Sequence, residues 1–365
     1  MTFPEVTELE ATLVAAGYLL LPAPAEPHAH LDKALTADLV PNPAGDLMGA
    51  IHGWIAHRET LDKADFVARA ERAARMSLAN GFTAIRTHVD LGVDIGTTAV
   101  EALIEVRDRM AGLVDIQIVG LTGRPSGGPS GADNRAVLRN AIAMGLDVVG
   151  GCPHLDEDPV ACTNDLLAIA GEAGLAIDLH TDETLDPSHL ELELLAKAVL
   201  STGFEHRATA SHCVSLSMQT EAVQQRVAVT VAEAGVNIVA LPQTNLFLQA
   251  RGIRTAPPRG LTATAALDGA GVNVCAGADN LQDPFCTVGR ADALETAALM
   301  VMAGHDSPEL AYERVSTKAR QAIDMPANGD LLAIRAATVR EAVASASPDR
   351  IVIRNGTIVS GTLPS

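Results

Sequence analysis

Two histidines one residue apart, His28-Ala29-His30, stand in a short stretch that reads as a β-strand. Strand side chains alternate faces with period 2, so both imidazoles project from the same face. Two neutral imidazoles held that close make a poor core element but a good bite on a divalent cation. A third imidazole from His180 and an anionic fourth donor from Asp279 would leave one coordination position for water. A cation in that place lowers the pKa of its water towards ~7 and supplies hydroxide at neutral pH. Glu183 and His212 then offer what a hydrolysis needs next, a proton carrier and an oxyanion stabiliser. A two-metal site would call for a bridging carboxylated lysine at the end of the fourth strand. The four lysines are at 33, 63, 197 and 318, and none falls there, so one divalent metal ion is expected.

Residues so far apart in sequence need elements that carry them to one place. Short β-branched runs near 25–27 and at 83–87, 115–120, 147–150, 176–179, 208–211, 237–240 and 273–276 read as strands, separated by Ala/Leu/Glu-rich helical stretches. Several strands follow a helix that stops at a glycine, as at Ala173-Gly174 and Ala234-Gly235, where glycine supplies the left-handed helix end. Eight βα units in roughly 290 residues predict a parallel sheet covered by helices and closed into a (β/α)8 TIM-like barrel. A doubly wound open sheet is the alternative, but no GxGxxG loop follows any strand. In a barrel all strand C-terminal ends lie at one mouth. His28 and His30 follow the first strand, and His88 with Asp90 ends the second. His154 follows the fourth, His180 with Asp182 and Glu183 the fifth, His212 the sixth, and Asp279-Asn280 the eighth. His52, His57, His189, His206 and His305 lie in helical or loop stretches and read as solvated or capping residues.

The barrel is expected over residues 25–325, beside a small β-domain built from both termini, 1–24 and 326–365. The stretch 331–335, the hairpin 350–360 with Asn355-Gly356 at its turn, and 18–21 supply its strands. The segment 123–131 (GRPSGGPSG) is a flexible loop.

The chain has 365 residues, of which 48% are apolar and 19% charged, a composition for burying a large core. With aromatics at 2%, that core must be packed by Ala, Val, Leu and Ile. A net charge of −19 argues against a nucleic-acid partner. Five cysteines, with no CxxC pair, argue against a disulfide scaffold or zinc ribbon and fit a reducing cytosol. No segment reaches about eighteen uncharged apolar residues, so a membrane partner is not expected, and a cytoplasmic location is.

The segments PHAHLDK (27–33), RTHVDL (86–91), LHTDET (179–184), ASHC (210–213) and GADNLQDPF (277–285) resemble the amidohydrolase superfamily, in particular its cytosine deaminase-like branch. GLDVVGGCPH (145–154) and PQTNLFLQARG (242–252) extend the likeness over about 25–325. The resemblance implies a distorted (β/α)8 barrel with a small β-sandwich from both chain ends, zinc or iron as the metal, and proteins that are often homo-oligomers. It implies that His28, His30, His180 and Asp279 ligate the metal and that Asp279 also takes the proton from its water. It makes Glu183 the shuttle to a ring nitrogen and His212 the residue that orients the attacking hydroxide. The implied activity is hydrolytic deamination of a small nitrogen heterocycle or cyclic amidine, the substrate being the only partner implied. Cyclic amide hydrolysis or N-dealkylating cleavage on the same scaffold is the alternative.

The chain also departs from that branch. Leu121-Thr122-Gly123-Arg124 replaces a glutamine that reads the pyrimidine, a pair of aspartates becomes Asp279-Asn280, and a tryptophan becomes Phe285, which still offers a face to a flat ring. Losing a bidentate reader leaves polar groups of cytosine unpaired, which argues against cytosine as substrate. Lys33 resembles the lysine in the HxHxDK motif of the N-isopropylammelide amidohydrolases; it reads either as a cation for an electron-rich heterocycle or as a partner of Asp32 or a loop carboxylate. Substrate contacts are therefore expected from Lys33, His154, Asn280 and Phe285. Arg124 reads as a substrate clamp or a solvated loop residue, and Gln243 and Asn245 as polar readers or structural groups. His88 and Asp90 are either props for the metal-binding side chains or a satisfied buried pair. The cysteines read as small buried hydrophobes.

Overall fold

A computed structural model describes residues 7–363; the outermost residues expected in the small β-domain, 1–6 and 364–365, lie outside the described residues. After a first helix, Glu8–Ala15, β1 (Tyr18–Pro22) leads into the barrel. The barrel strands are β2 (Ala25–Ala29), β3 (Ala84–Leu91), β4 (Asp115–Thr122), β5 (Val148–Gly151), β6 (Ala176–Thr181), β7 (Ala208–His212), β8 (Asn237–Ala240) and β9 (Val274–Ala276). They pair in parallel in chain order, β2 to β9. The seam is drawn together by a bridge between Ala29 and Asp279, in which the Asp279 N–H donates to the His28 carbonyl at 3.1 Å. Glu26 reinforces it: its carboxylate accepts from the His28 N–H at 3.1 Å and the Ala278 N–H at 3.0 Å, and burial pushes its pKa up to about 8.

Strands covered on both faces read as near-continuous buried runs, and β2, β3, β5, β7, β8 and β9 are buried throughout. Charges inside the barrel are paired, as where Arg86 donates to Asp178 at 2.8 Å and to Gln117 at 2.7 Å. Alanines such as Ala70, Ala73 and Ala74 on helix Lys63–Ala79 let the outer helices lie close, so a core with few aromatics still closes. Gly174 and Gly235 end their helices at φ +68° and +64°, the left-handed turn their positions predict.

The second sheet runs β1, β10 (Leu331–Arg335), β11 (Arg350–Arg354), β12 (Thr357–Ser360), all antiparallel. It therefore joins both ends of the chain. Leu13, Tyr18, Ala333, Ile351 and Ile353 form its own small core. The buried Arg350 reaches out of this sheet to both oxygens of Asp292, at 2.9 and 2.8 Å. Among the described residues no helix is long and apolar enough to cross a membrane.

Candidate active site

The strand ends converge as a barrel requires. His28 lies in β2 and His30 just beyond it, His180 in β6, His212 at the end of β7, and Asp279 past β9. The Nε2 atoms of His28 and His30 stand 3.2 and 3.1 Å from Nε2 of His180. Asp279 Oδ1 lies 3.6 Å from His28 Nε2 and 3.3 Å from His30 Nε2. Three imidazole nitrogens and a carboxylate oxygen thus crowd a common centre, all buried. Burial, with the neighbouring imidazoles, lowers the pKa values of His28 and His180 well below the ordinary range, so both rings are neutral and offer lone pairs.

These residues fit a divalent cation. Donors about 2.0–2.1 Å from a shared tetrahedral ion stand about 3.3 Å from one another, and the separations of His28 and His30 from His180 and Asp279 bracket that value. Both Asp279 oxygens are buried without a hydrogen-bond partner, an arrangement that is costly unless a cation or polar ligand meets them. The tautomer of His28 also fits. Ser211 Oγ donates to Asp178 at 3.1 Å, so it accepts from His28 Nδ1 at 2.9 Å, leaving Nε2 free for a metal.

Around that centre sit Glu183 and His212. Glu183 Oε1 lies 3.7 Å from His212 Nδ1, and burial, then the charge of Asp279, raises the Glu183 carboxyl well above the usual range. Asn245 Oδ1 meets His212 Nδ1 at 3.0 Å, which turns the unpartnered Nε2 of His212 towards Asp279 Oδ2, 3.9 Å away. Burial lowers the pKa of His212, with Asp279 and Asn245 opposing.

A cavity of about 300 Å³ opens from this cluster. Lys33, Asn280 and Phe285 line it; His154 does not. His154 is buried behind the cluster, its Nδ1 3.2 Å from the His180 carbonyl, and burial pushes its pKa down to about 3. It therefore props the strand that carries His180 through Nδ1, while its Nε2 is buried without a partner outside the cavity wall. Lys33 lines the cavity with its ammonium 3.0 Å from Asp32, 2.7 Å from Asp90 and 3.4 Å from His30 Nδ1. Asn280 donates to Asp283 at 2.7 Å and accepts from Thr244 at 3.1 Å. Gln243 is held by Thr296 and lies outside the cavity wall, whereas the exposed Arg124 stands at its mouth, donating to the Leu155 carbonyl.

Sequence reasoning named His88 as a prop for the metal-binding side chains or part of a satisfied buried pair, and missed Ser211, Trp54 and Arg58. His88 stacks on His28 with ring centroids 3.8 Å apart, and Ser211 fixes the His28 tautomer. Trp54 and Arg58 line the cavity from helix Leu47–Arg58, both donating to Asp90. The only signal for the last two was a spacing of apolar and large residues at 47, 51, 54, 55 and 58, which places them on one helical face.

The family model described as Amidohydrolase family matches residues 42–331, beginning beyond the His28/His30 pair. Pterin deaminase from Rhizobium rhizogenes (strain K84) is 34% identical over 360 residues, 95% of this chain and 82% of the relative. N-isopropylammelide isopropyl amidohydrolase from Pseudomonas sp. (strain ADP) is 23% identical, over 94% and 87% of the two chains. Among solved structures, 5-methylcytosine deaminase from Klebsiella pneumoniae liganded with 5-fluorocytosine superposes with a TM-score of 0.88 at 30% identity, covering 96% of this chain and 88% of that one. N-isopropylammelide isopropylaminohydrolase from Burkholderia multivorans gives 0.79 at 30% identity, covering 95% and 87%.

Proposed function

The chain belongs to the amidohydrolase family, and on that premise we propose that it is a metal-dependent deaminase, hydrolysing a carbon–nitrogen bond of a small amino-substituted heterocycle. The observation that carries this reading is that His28 and His30 each stand 3.1–3.6 Å from both His180 and Asp279, beside a raised Glu183 and an oriented His212. His28, His30, His180 and Asp279 would hold one divalent ion, zinc or iron, since imidazole and carboxylate suit both. When bound, that ion supplies Lewis acidity and brings the ionisation of water close to neutral pH.

The chain's own residues then divide the proton traffic. Water adds to the ring carbon that bears the amine, a C–O bond forms, and the C–N bond breaks to give ammonia and a ring carbonyl. Asp279, with two unpartnered oxygens, accepts a proton of the attacking water and returns it to the departing amine. Burial and the charge of Asp279 disfavour the Glu183 anion, so its carboxyl passes a proton to the adjacent ring nitrogen and recovers one from the new hydroxyl as the ring carbonyl forms. His212 Nε2, fixed through Asn245, orients the attacking oxygen. Phe285 gives the ring a face to lie on, and Asn280 borders it.

Pterins head the substrate panel because of the 34% identity to a pterin deaminase, followed by cytosines, aminotriazines and creatinine-like rings. Metal-replete protein should release one ammonia per substrate consumed from at least one of these, with the amino group replaced by oxo in the product mass. No ammonia from any ring, or full turnover by metal-stripped protein, overturns the reading. The likeness to N-isopropylammelide isopropylaminohydrolase favours a second reading, release of an alkylamine from an N-alkylated ring, which the same assay resolves by the amine produced. Five cysteines without a disulfide support a reducing cytoplasm as the compartment.

A further inference from the structure

Polar and apolar walls divide the cavity by position around the barrel. The donors and proton carriers come from β2, β6, β7 and the segment after β9. On the side of β4 and β5 the wall is largely apolar: Leu121 from a strand end, then Cys152 and Leu155 just beyond β5. Facing them, helix Leu47–Arg58 presents Leu47, Ile51 and Ile55, one helical stripe whose members are half-buried and reach into the cavity.

The cations on this side offer a ligand little. The Lys33 ammonium is engaged by Asp32 and Asp90. Arg58 pairs with Asp90 and Asp94, and its remaining Nε is closed off from solvent. Thr122 donates to the Gly150 carbonyl, and Asn134 is held by the Val93 N–H and the Pro125 carbonyl. Between the reacting centre and the exposed Arg124 and Asp94 at the mouth lies a sleeve whose polar side chains are already engaged within the protein.

Resting on the deaminase reading above, we infer that this sleeve is a specificity subsite for a short apolar substituent on the substrate ring, at the edge away from the reacting amine. The stripe Leu47/Ile51/Ile55 is its determinant. The ring presents its amine to the imidazole and carboxylate cluster, and its opposite edge, with an alkyl group of a few carbons, points to β4 and β5. A hydroxyl in that position would lose water without finding a partner. Trp54 and Arg58, bonded to Asp90, hold the helix at the distance the subsite needs.

The test measures binding without turnover. The Kd values of 6-H, 6-methyl, 6-propyl and 6-hydroxymethyl pterin are measured by calorimetry on the metal-replete Glu183→Gln protein. The expected result is a gain of about fourfold per added carbon from 6-H to 6-propyl, with a heat-capacity change that grows more negative along the series. The hydroxymethyl compound should bind no tighter than 6-H. Adding Ile51→Asn, and separately Ile55→Asn, should bring the propyl-to-hydrogen ratio towards one. A flat series, tighter binding of the hydroxymethyl ring, a ratio untouched by both substitutions, or no binding by any member overturns the inference. Ammonia release by the wild-type protein is scored separately, so failure of the deaminase reading shows there and leaves the affinity ranking to be judged by itself.

Discussion

Glu183 and Ser211 act on the same centre in different ways, and single substitutions separate them. Glu183→Gln keeps the shape and removes the ionisable proton; activity should fall by about 10²–10⁴-fold, while metal content, read by atomic absorption, stays at the wild-type level. Retained turnover would show that another group carries the proton. Ser211→Ala does the reverse. It deprives the His28 Nδ1–H of its acceptor and frees the ring to turn, so metal affinity should fall about 10–100-fold in a chelator competition. The convergence of His28, His30, His180 and Asp279 was open to sequence reading because a barrel sends every strand end to one mouth, so histidines that recur at strand ends must meet. Ser211 was not. A serine inside a strand carries no mark of which side chain it will touch, and the partners of Ser211, His28 and Asp178, lie 183 and 33 residues away. His154 misled for the same reason: its place after a strand suggested the cavity, but a short turn at Pro153–Leu155 folds its ring back onto the His180 carbonyl.

Helix Leu47–Arg58 depends on one carboxylate. Asp90 accepts from Lys33, Trp54 and Arg58, so it joins the cavity helix to β3 and to the loop after β2. Burial opposes its charge, but Lys33 and Arg58 outweigh that and hold the carboxyl below the usual carboxylate range. Asp90→Asn leaves Lys33 with Asp32 alone and Arg58 with the exposed Asp94 alone, and should destabilise the fold by about 1.5–3 kcal/mol, measured as a lower urea midpoint at unchanged slope. The pH dependence follows in sign. A carboxyl whose folded pKa is depressed stabilises above its unfolded value of about 4, and that stabilisation drains away as pH falls below it. Wild-type stability should therefore drop through the acid range more steeply than that of Asp90→Asn; parallel curves would place the effect elsewhere. At this scale the strands, their order and the terminal hairpin were legible, because glycine helix ends and β-branched runs are local signals. The backbone at the site was not. Asp182, His212 and Asp279 adopt φ of +54°, +70° and +66°, a region that costs an ordinary residue roughly 1–2 kcal/mol and that only surrounding tertiary contacts can impose.

Across the whole molecule, the proposed ion is a tie between distant parts of the chain. Its donors come from positions 28, 30, 180 and 279, on barrel strands that include both sides of the β2/β9 seam. An ion that binds only the folded state adds stability by mass action, about 4 kcal/mol when free metal exceeds its Kd a thousandfold. The barrel has other means of closing: the Glu26 clamp and the Asp279 to His28 backbone bond. Chelation should therefore leave the far-ultraviolet circular dichroism unchanged and lower only the melting temperature. With 365 residues and an unfolding entropy of about 2.1 cal/mol/K per residue, the expected drop is about 5 °C. Reloading with zinc or iron should restore it, and a His180→Ala protein should melt at the chelated temperature with or without added metal. An unchanged melting temperature on chelation would mean that the four donors do not share an ion, and collapse of the dichroism would mean that the seam cannot close without one.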